Sequence, residues 1–300
     1  MELRQLRYFV EIVERGGFTS ASRSIRVVQP ALTAAIQKLE VEIGTKLLDR
    51  ATRPLTPTTD GREFYAAAKE ILRRVRGLEE EMSERRGLAR GRLSIALPTM
   101  LATHALSGVI EAFRAHYPGI ALSVESSGAR SIETKLAASE VDLGIVARKG
   151  LREDLVYRPL LRDEVVACVG RDHPLASKTY VTLERVSAEP LLLFRPGFFQ
   201  RDLVTGALAE RGLPLQVAFE SDYVPHLVEA AASGAGVTTL LRMAARAEAR
   251  LVPIPFRPAL HVEAGFAWKS GGWLSHAARA FIDFVAAAEV PGKIRSASPD

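Results

Sequence analysis

The chain has 300 residues, of which 47% are hydrophobic and 25% are charged, with a formal net charge of +5. This composition supports two or three well-packed cores and excludes an intrinsically disordered protein. No apolar run approaches the roughly 20 residues that cross a bilayer, and charges interrupt the apolar pattern of the first residues. We therefore expect a cytoplasmic protein without an export signal or membrane contact.

The basic excess lies at the amino end. Residues 1–90 contain 17 Lys and Arg against 13 Asp and Glu, a difference of +4. The other 210 residues contain 23 against 22, a difference of +1. An anionic polymer such as nucleic acid is therefore expected to meet the amino-terminal part.

Residue patterns that support catalysis are missing from the sequence. The six histidines are scattered without metal-ligand spacing, and no nucleophile elbow or phosphate loop is found. The single cysteine, Cys168, lies in the apolar run "EVVACVG" and is expected to be a buried strand residue. One cysteine also excludes a two-cysteine redox switch within a chain. We predict no enzyme activity, no metal and no cofactor.

Three short helices are predicted first. Apolar residues recur at helical spacing from Leu3 to Val13, and two glycines then end the first helix. Thr19 is predicted to cap the second helix, in which Ala21 and Ile25 face inward. Pro30 suits the first turn of a third helix. Its buried stripe is predicted to be Leu32, Ile36, Leu39 and Ile43.

The opposite face of the third helix carries small, polar or cationic side chains. They are Gln29, Thr33, Ala34, Gln37 and Lys38. Such a face suits the floor of a DNA major groove better than a protein core.

The next segment, "LLDRATRPLTPTTDG", is too broken for a helix and is predicted to form a small β-wing with the cations Arg50 and Arg53. A long helix follows over residues 60–88. Asp60 with Glu63 could form its capping box, or Thr58 could cap it, and the sequence leaves both open.

Apolar residues of the long helix alternate spacings of four and three, which is typical of a coiled-coil seam. The seam consists of Phe64, Ala68, Ile71, Val75, Leu78 and Met82. We predict that it pairs two copies of the chain. The alternative is a stripe that packs only on its own domain.

From residue 91 onward, short β-rich runs alternate with helical stretches. The strands are predicted at "RLSIAL", "ALSVES", "DLGIVA", "VYRPLL", "VVACVG", "PLLLFR", "LQVAFE", "GVTTLL" and "VEAGFAW". Helices are predicted over residues 100–116, 130–139, 200–212, 223–234 and 275–288. This alternation favours open, mostly parallel α/β sheets in two half-domains, with ligands outside the carboxyl ends of strands.

The sequence resembles the LysR-type transcriptional regulators. The run from "LRYFVEIVERGGFTSAS" through "VVQPALTAAIQKLEVEIGTKLLDR" and "LTPTTDG" looks like their winged helix-turn-helix. The segments "VDLGIV", "DHPLA", "AAASGAGV" and "ARAFIDFV" are similar to their effector domain, in the same order. The resemblance covers about residues 1–290, tightly before residue 65 and loosely after it.

The resemblance implies an α/β protein with three parts: an α-rich winged helix-turn-helix domain over residues 1–59, a linker helix over 60–88, and a two-lobed effector domain like a periplasmic binding protein over 91–300. Lobe I is expected over about 91–163 and 265–290, and lobe II over about 164–264. The implied partners are duplex DNA, a second copy or a tetramer, a small-molecule effector and RNA polymerase.

The resemblance also implies which residues approach DNA. They are Gln29, Pro30, Ala31, Thr33, Ala34, Gln37 and Lys38, with Arg50, Arg53 and Thr58 in or near the wing. Two positions depart from the family pattern. Val28 stands where a small hydroxyl residue is usual and could pack beneath the turn instead, and Ala34 offers only a methyl group, which suits a thymine methyl.

An effector site is expected where strands end and helices begin. Free N–H groups at such junctions favour anions, so we expect a carboxylate near Thr99, Met100, Ser127 and Gly128, with Arg148 or Arg195 as a cationic partner. Phe198 and Phe199 suit either an apolar wall for an aromatic acid or the core. The alternative function is a two-lobed solute-binding protein without a role on DNA, against which residues 1–88 argue.

Overall fold

The computed structural model describes residues 1–84, 91–272 and 274–294. The chain divides into two compact units. The first is residues 1–88 with the short segments 138–140 and 271–275, and the second is the remainder. In the described residues, no helix is both long and apolar enough to span a bilayer.

The first unit is a helical bundle with a two-stranded wing. Its elements are α1 Leu3–Arg15, α2 Phe18–Ile25, α3 Gln29–Ile43, β1 Leu48–Asp49, β2 Thr56–Pro57 and α4 Thr59–Glu84. The strands β1 and β2 are antiparallel, with Leu48 opposite Pro57. This confirms the predicted wing, which we define as residues 48–57. The predicted end of the linker helix, residues 85–88, lies outside the described residues.

The core of this unit confirms most of the predicted stripe of α3. Leu32, Ile36 and Leu39 are fully buried against Phe9 of α1 and Ala21 of α2. The fourth predicted member, Ile43, is wrong because its side chain is exposed at the last turn of α3. The chain leaves the helix at Gly44, whose φ of 82° is left-handed, so Ile43 lies in the last turn before the helix ends.

Two local predictions at the second and third helices are also wrong. Helix α2 begins at Phe18, one residue before Thr19, and the N-cap residue Gly17 makes no side-chain cap. Val28 does not pack beneath the turn, since 72% of its surface is exposed. It is the N-cap residue of α3 and has extended backbone.

The open question about the start of α4 is resolved in favour of Thr58. Its Oγ1 accepts a hydrogen bond from the N–H of Gly61 at 2.9 Å, which is the N-cap interaction. The same hydroxyl donates to the carbonyl oxygen of Lys46 at 2.7 Å. Asp60 instead accepts from the hydroxyl of Thr45 at 2.6 Å.

The second unit contains one eight-stranded sheet covered by helices. Its first elements are β3 Gly91–Leu97, α5 Thr99–Leu101, a π-helical turn Ala102–Leu106, α6 Ser107–His116, β4 Ile120–Ser126, α7 Ala129–Ala137, β5 Leu143–Ala147 and β6 Leu155–Gly170. Its remaining elements are α8 Leu183–Ser187, β7 Leu191–Phe194, α9 Phe199–Ala209, β8 Val217–Ser221, α10 Val224–Ala232, β9 Val237–Leu241, α11 Arg242–Ala247, β10 Leu251–Lys269 and α12 His276–Ala287.

The strand order is β4-β3-β5-β10-β6-β9-β7-β8. Strands β3, β4 and β5 are parallel to one another in lobe I, and β7, β8 and β9 are parallel in lobe II. The long strands β6 and β10 run antiparallel through the middle and join the lobes. The two-lobed α/β prediction is confirmed, but the sheet is mixed rather than mostly parallel, because both lobes share the antiparallel pair.

The structure merges two predicted strands into one. The runs "VYRPLL" and "VVACVG" both belong to β6, although Arg162, Asp163 and Glu164 separate them. In the sequence, three consecutive charged residues suggest a turn. In the structure, residues of α11 form hydrogen bonds with two of them. Asp163 accepts from the N–H of Met243 at 3.1 Å, and Glu164 accepts from Nε of Arg242 at 3.0 Å.

The first half of β10 was missed in the sequence, together with the short helices α8 and α11. Pro253, Pro255 and Pro258 argue against a strand there, because proline cannot donate to a β ladder. Pairing with β6 nevertheless continues, with an irregularity between Pro255 and Leu260. Cys168 is fully buried in β6, as predicted, and burial raises the pKa of its thiol to about 12.

Candidate DNA-binding and effector-binding sites

Helix α3 presents one face to solvent and the other to the core. The exposed face carries Gln29, Pro30, Ala31, Ala34, Gln37 and Lys38, and Thr33 is half-buried beside it. The buried stripe of Leu32, Ile36 and Leu39 holds this face in place. Such a face has the shape of a helix that enters the DNA major groove, where amide side chains can reach base edges.

The side chain of Gln29 is already oriented in the free protein. Its Oε1 accepts a hydrogen bond from the hydroxyl of Thr19 at 3.0 Å. The carboxamide Nε2 keeps two N–H donors for an acceptor on a partner. Thr19 therefore serves the recognition face, although it does not cap α2 as predicted.

The wing cations differ in their surroundings. Arg50 contacts the carboxylate of Glu40 at 3.3 Å and lies over the ring of Phe18, 5.6 Å from its centroid. Arg53 is exposed and forms no side-chain hydrogen bond or ion pair with a residue that the structure describes. Thr58 uses its hydroxyl within the chain, both as donor and as acceptor.

Sequence reasoning missed two more cations beside the wing. Lys46 and Arg62 line the same surface notch as Arg50, with a volume of about 670 Å³. We call it the wing notch. The two residues lie 16 positions apart, and only the turn between β2 and α4 brings them to one place, so the sequence carried no direct signal for them.

The predicted seam of α4 divides into two parts. Phe64 packs on Phe9, with ring centroids 5.2 Å apart, and Ala68 is 1% exposed. These two side chains contribute to the core of their own unit. Farther along, Ile71, Leu78 and Met82 are exposed large apolar side chains.

The junctions predicted for the effector lie at one edge of the sheet. Strands β3 and β4 are paired with Leu97 opposite Ser126, so Thr99 and Ser127 follow neighbouring strand ends. The two lobes meet at this edge. A Cβ built on Gly128 would lie 3.0 Å from the carbonyl oxygen of Gly197, and that oxygen accepts from the N–H of Arg130 at 3.3 Å.

The two phenylalanines of the third junction have different environments. Phe199 is buried at the start of α9 and lines a cavity of about 930 Å³. Phe198 stacks on the buried ring of Phe194, with centroids 5.1 Å apart. Of the two, Phe199 lines the cavity, and the half-buried Phe198 packs on Phe194 and lies beside Gly128.

That cavity, which we call the α7–α9 cavity, lies between the two helices for which it is named. Of the predicted effector residues, Arg148 and Phe199 line it. Thr99, Met100, Ser127, Gly128, Arg195 and Phe198 are not among its lining residues. The side chain of Arg195 is exposed.

The walls of the α7–α9 cavity are rich in charge. Arg130 pairs with Asp202 at 3.2 Å, and Arg148 pairs with Glu263 at 3.4 Å. Arg162 also lines the cavity and forms no side-chain hydrogen bond or ion pair within the described part of the chain. These residues come from distant segments, and sequence reasoning named only Arg148.

One carboxyl group of this cavity is perturbed. Burial raises the pKa of Glu133, an effect that the positive charges of Arg152 and Arg130 oppose. A carboxyl group with a raised pKa stays neutral to a higher pH than usual.

Comparisons with known proteins follow the same division of the chain. The family model described as "Bacterial regulatory helix-turn-helix protein, lysR family" matches residues 3–62, and the model "LysR substrate binding domain" matches residues 86–289. The chain therefore belongs to the LysR family. It is a DNA-binding transcriptional regulator with an effector-binding domain.

Among its relatives, the nitrogen assimilation regulatory protein nac of Klebsiella aerogenes is 32% identical over 247 residues, 82% of this chain and 80% of that protein. The dual regulator OxyR of Escherichia coli is 27% identical over 88% of this chain and 86% of its own.

Solved structures share the fold. A full-length OxyR variant from Pseudomonas aeruginosa, with one cysteine replaced by aspartate, matches with a TM-score of 0.82 at 23% identity, covering 99% of each chain. Full-length CbnR in complex with its target DNA matches with a TM-score of 0.64 at 22% identity, covering 95% of this chain and 99% of that one.

Proposed function

We propose that this regulator binds duplex DNA through the exposed face of α3 and the wing, as a dimer. The observation that carries the proposal is the polar face from Gln29 to Lys38, which a fully buried apolar stripe holds outward. The basic excess of residues 1–90 supports it. The solved complex of CbnR with its target DNA is consistent with this use of the fold.

The second half of the α4 seam supports a dimer. Ile71, Leu78 and Met82 are exposed along one stripe of a helix that otherwise carries charge. Large apolar side chains at coiled-coil spacing are stabilised by pairing with a second helix. We propose that a second copy of α4 covers them, whereas Phe64 and Ala68 serve mainly the core of their own unit.

We further propose that the effector is a small anionic metabolite, such as a carboxylate. Arg148, Arg162 and the buried ring of Phe199 line one cavity, which gives a ligand both cationic and apolar contacts. The effector-binding domain of QuiR, which matches at 19% identity over 65% of this chain and 95% of its own with a TM-score of 0.60, is solved with shikimate.

Binding must favour one arrangement of the lobes if it is to regulate. A ligand with equal affinity for both arrangements would shift nothing, however tightly it bound. The contact between Gly128 and Gly197 and the pair of Arg130 with Asp202 join the lobes beside the cavity. A ligand that competes for Arg130 would change the free energy of this closure and, through it, recruitment of RNA polymerase.

Peroxide sensing through the cysteine is a poorer candidate, although several relatives are named hydrogen peroxide-inducible genes activators. Cys168 is the single cysteine of the chain and is fully buried. Burial raises the pKa of its thiol to about 12, and only a thiolate reacts readily. We expect thiol reagents to label the native protein slowly and the denatured protein at once.

Retention on duplex DNA at low salt tests the main proposal. A DNA-binding regulator is retained at low salt and elutes as the salt concentration rises. Binding releases counterions from the DNA, and a high salt concentration opposes that release. A solute-binding protein without a role on DNA would flow through. Footprinting on genomic DNA with and without metabolite pools would then locate the operator and report whether an effector changes occupancy.

A further inference from the structure

The carboxylate of Glu40 is buried beneath the wing, with 1% of its side chain exposed. Its Oε1 accepts from the N–H groups of Leu47 at 2.9 Å and Leu48 at 3.3 Å. Its Oε2 accepts from Nζ of Lys46 at 3.4 Å and Nη2 of Arg50 at 3.3 Å. A buried carboxylate is destabilising unless such donors satisfy it, so Glu40 ties both cations to α3.

A third cation lies across the wing notch. Nη1 of Arg62 donates to the carbonyl oxygen of Pro57 at 3.2 Å, and Nη2 donates to the hydroxyl of Thr59 at 3.1 Å. Arg62, Lys46 and Arg50 thus reach one notch from three different segments. Each is held by hydrogen bonds within the chain before a ligand arrives.

The cations keep donors for a ligand. The side chain of Lys46 is 74% exposed and that of Arg50 is 40% exposed, and a lysine has three donors whereas an arginine has five. Asp49 lines the notch beside these cations, and its Oδ1 accepts a hydrogen bond from the N–H of Ala51 at 2.9 Å. The three cations exceed Glu40 and Asp49 by one charge, so the notch favours an anion.

The two oxygens of Glu40 have different partners. Oε1 accepts from the backbone at the start of β1. Oε2 is satisfied by the two cations, as a buried carboxylate oxygen requires. The same bonds restrict where the two cations lie, which lowers the entropy lost when a ligand binds.

We propose that the wing notch binds one phosphate of the DNA backbone, and that Glu40 is a positioning residue for Lys46 and Arg50. The inference rests on the proposed DNA binding by α3. The notch directly follows α3 in the chain and belongs to the unit with the basic excess, which favours a backbone phosphate over a free one.

Salt titrations of the full-length protein on random duplex DNA test the cations. Lys46→Gln and Arg62→Gln should each weaken binding and flatten the plot of log affinity against log salt. Because both side chains share one phosphate, the double variant should lower the slope by about 0.9 in all rather than by twice that amount. Arg114→Gln, on α6, removes one charge elsewhere and should leave the slope unchanged.

Glu40→Gln tests the positioning role, because simple electrostatics predicts the opposite sign. The variant loses a negative charge near DNA, which by itself should tighten binding. If Glu40 acts through the cations, affinity should fall several-fold, and Lys46→Gln should cost little more in the Glu40→Gln background. Tighter binding, or full additivity of the two changes, would overturn the positioning role. Circular dichroism must show a folded variant, and if Glu40→Gln unfolds, the Lys46 and Arg62 slopes alone decide the notch.

The outcomes separate this inference from the DNA-binding proposal. If wild-type protein binds DNA and the Lys46 and Arg62 variants keep its affinity and slope, the notch proposal is wrong while DNA binding stands. If wild-type protein does not bind DNA, both fail. Thermal stabilisation by millimolar inorganic phosphate at constant ionic strength, lost in Lys46→Gln, would assign the notch to free phosphate and also overturn the proposal.

Discussion

The two units of this regulator differ in how their candidate sites are assembled. In the DNA-binding unit the candidate contacts lie between Gln29 and Arg62, on α3, the wing and the first turn of α4. In the effector unit the α7–α9 cavity draws on residues from Arg130 to Glu263. A site built on one helix is visible in local periodicity, whereas a site between two lobes depends on strand order.

The two sites also differ in the contacts that hold them in place. The recognition face is supported by a buried apolar stripe, and its cations are held by a buried carboxylate. The cavity is held by ion pairs across the lobes with exposed guanidinium groups, such as Arg130 with Asp202. We therefore expect the DNA-binding unit to be preorganised and the effector cavity to respond more readily to ligand and salt.

The largest effect is expected from breaking the pairing of α4. Changing Ile71 and Leu78 to Asp would place charge in an apolar helix pair, which is costly without partners. Dimers should dissociate, and operator affinity should fall about 100-fold or more because the two DNA-binding units are no longer linked. Sedimentation and DNA titration measure both quantities.

Val156→Asp is the matched control for that variant, since Val156 is an exposed apolar residue of β6. It should keep the parent mass and affinity. An Ile71 and Leu78 double variant that also kept both would assign the whole stripe to packing within one chain.

A smaller effect is expected on the recognition face. Gln29→Ala should cost about 1–3 kcal/mol at a specific site if the amide reads a base edge. Binding to random DNA should change little. Equal loss on both would make Gln29 a backbone contact, and Gln216→Ala, an exposed amide of the effector unit, serves as the control.

Thr19→Val tests whether Thr19 acts on DNA binding through Gln29. The variant keeps the shape of the side chain and removes the hydroxyl that bonds Gln29 at 3.0 Å. Specific affinity should fall by about 0.5–1.5 kcal/mol, the usual net contribution of one hydrogen bond. No further loss is expected when Thr19→Val is added to Gln29→Ala, and additive losses would show that Thr19 acts independently.

In the effector unit, Arg148→Gln should lower ligand affinity about tenfold, and Thr99→Val should do so only if the carboxylate binds at the strand ends rather than in the cavity. Arg148→Gln removes a charge-assisted bond to a carboxylate, and Thr99→Val removes one hydroxyl donor, each worth about 1.5–3 kcal/mol when the partner is charged. Calorimetry with an effector identified by footprinting measures both variants. Loss only with Arg148→Gln would place the carboxylate in the cavity, and loss only with Thr99→Val would place it at the strand ends.

The smallest effect is expected from Glu133. Burial raises the pKa of this carboxyl group in the folded protein, so the folded state holds its proton to higher pH than the unfolded state. Folding stability from this group therefore falls as pH rises through the raised pKa. Glu133→Gln should raise the melting temperature slightly at neutral pH and not at pH 4, and a pH-independent shift would contradict this.

Much of the first unit could be predicted because its signals are local. The spacing of Leu32, Ile36 and Leu39 indicates both the helix and its buried side. The errors there are at element ends, where Gly17 rather than Thr19 is the N-cap residue of α2 and Ile43 is exposed at the end of the stripe. Helix ends depend on backbone conformation and neighbouring packing, which periodicity does not report.

The second unit was predictable in its element types and much less so in its site. Alternating strands and helices indicate the two-lobed fold, and Cys168 in an apolar run indicates burial. The continuous strand β6 was hidden because Asp163 and Glu164 are satisfied by α11, a contact between segments about 80 residues apart. Only the folded chain supplies those partners.

Periodicity and composition alone thus specify the three short helices, the outward face of the third and the basic amino end, since they depend on residues within a few turns of each other. The tertiary structure decides which charges share a space. Glu40 brings Lys46 and Arg50 together at the wing notch, and the strand order brings Arg148 and Arg162 to the cavity that Phe199 also lines. Burial and proximity arise from long-range contacts, and no local pattern encodes them.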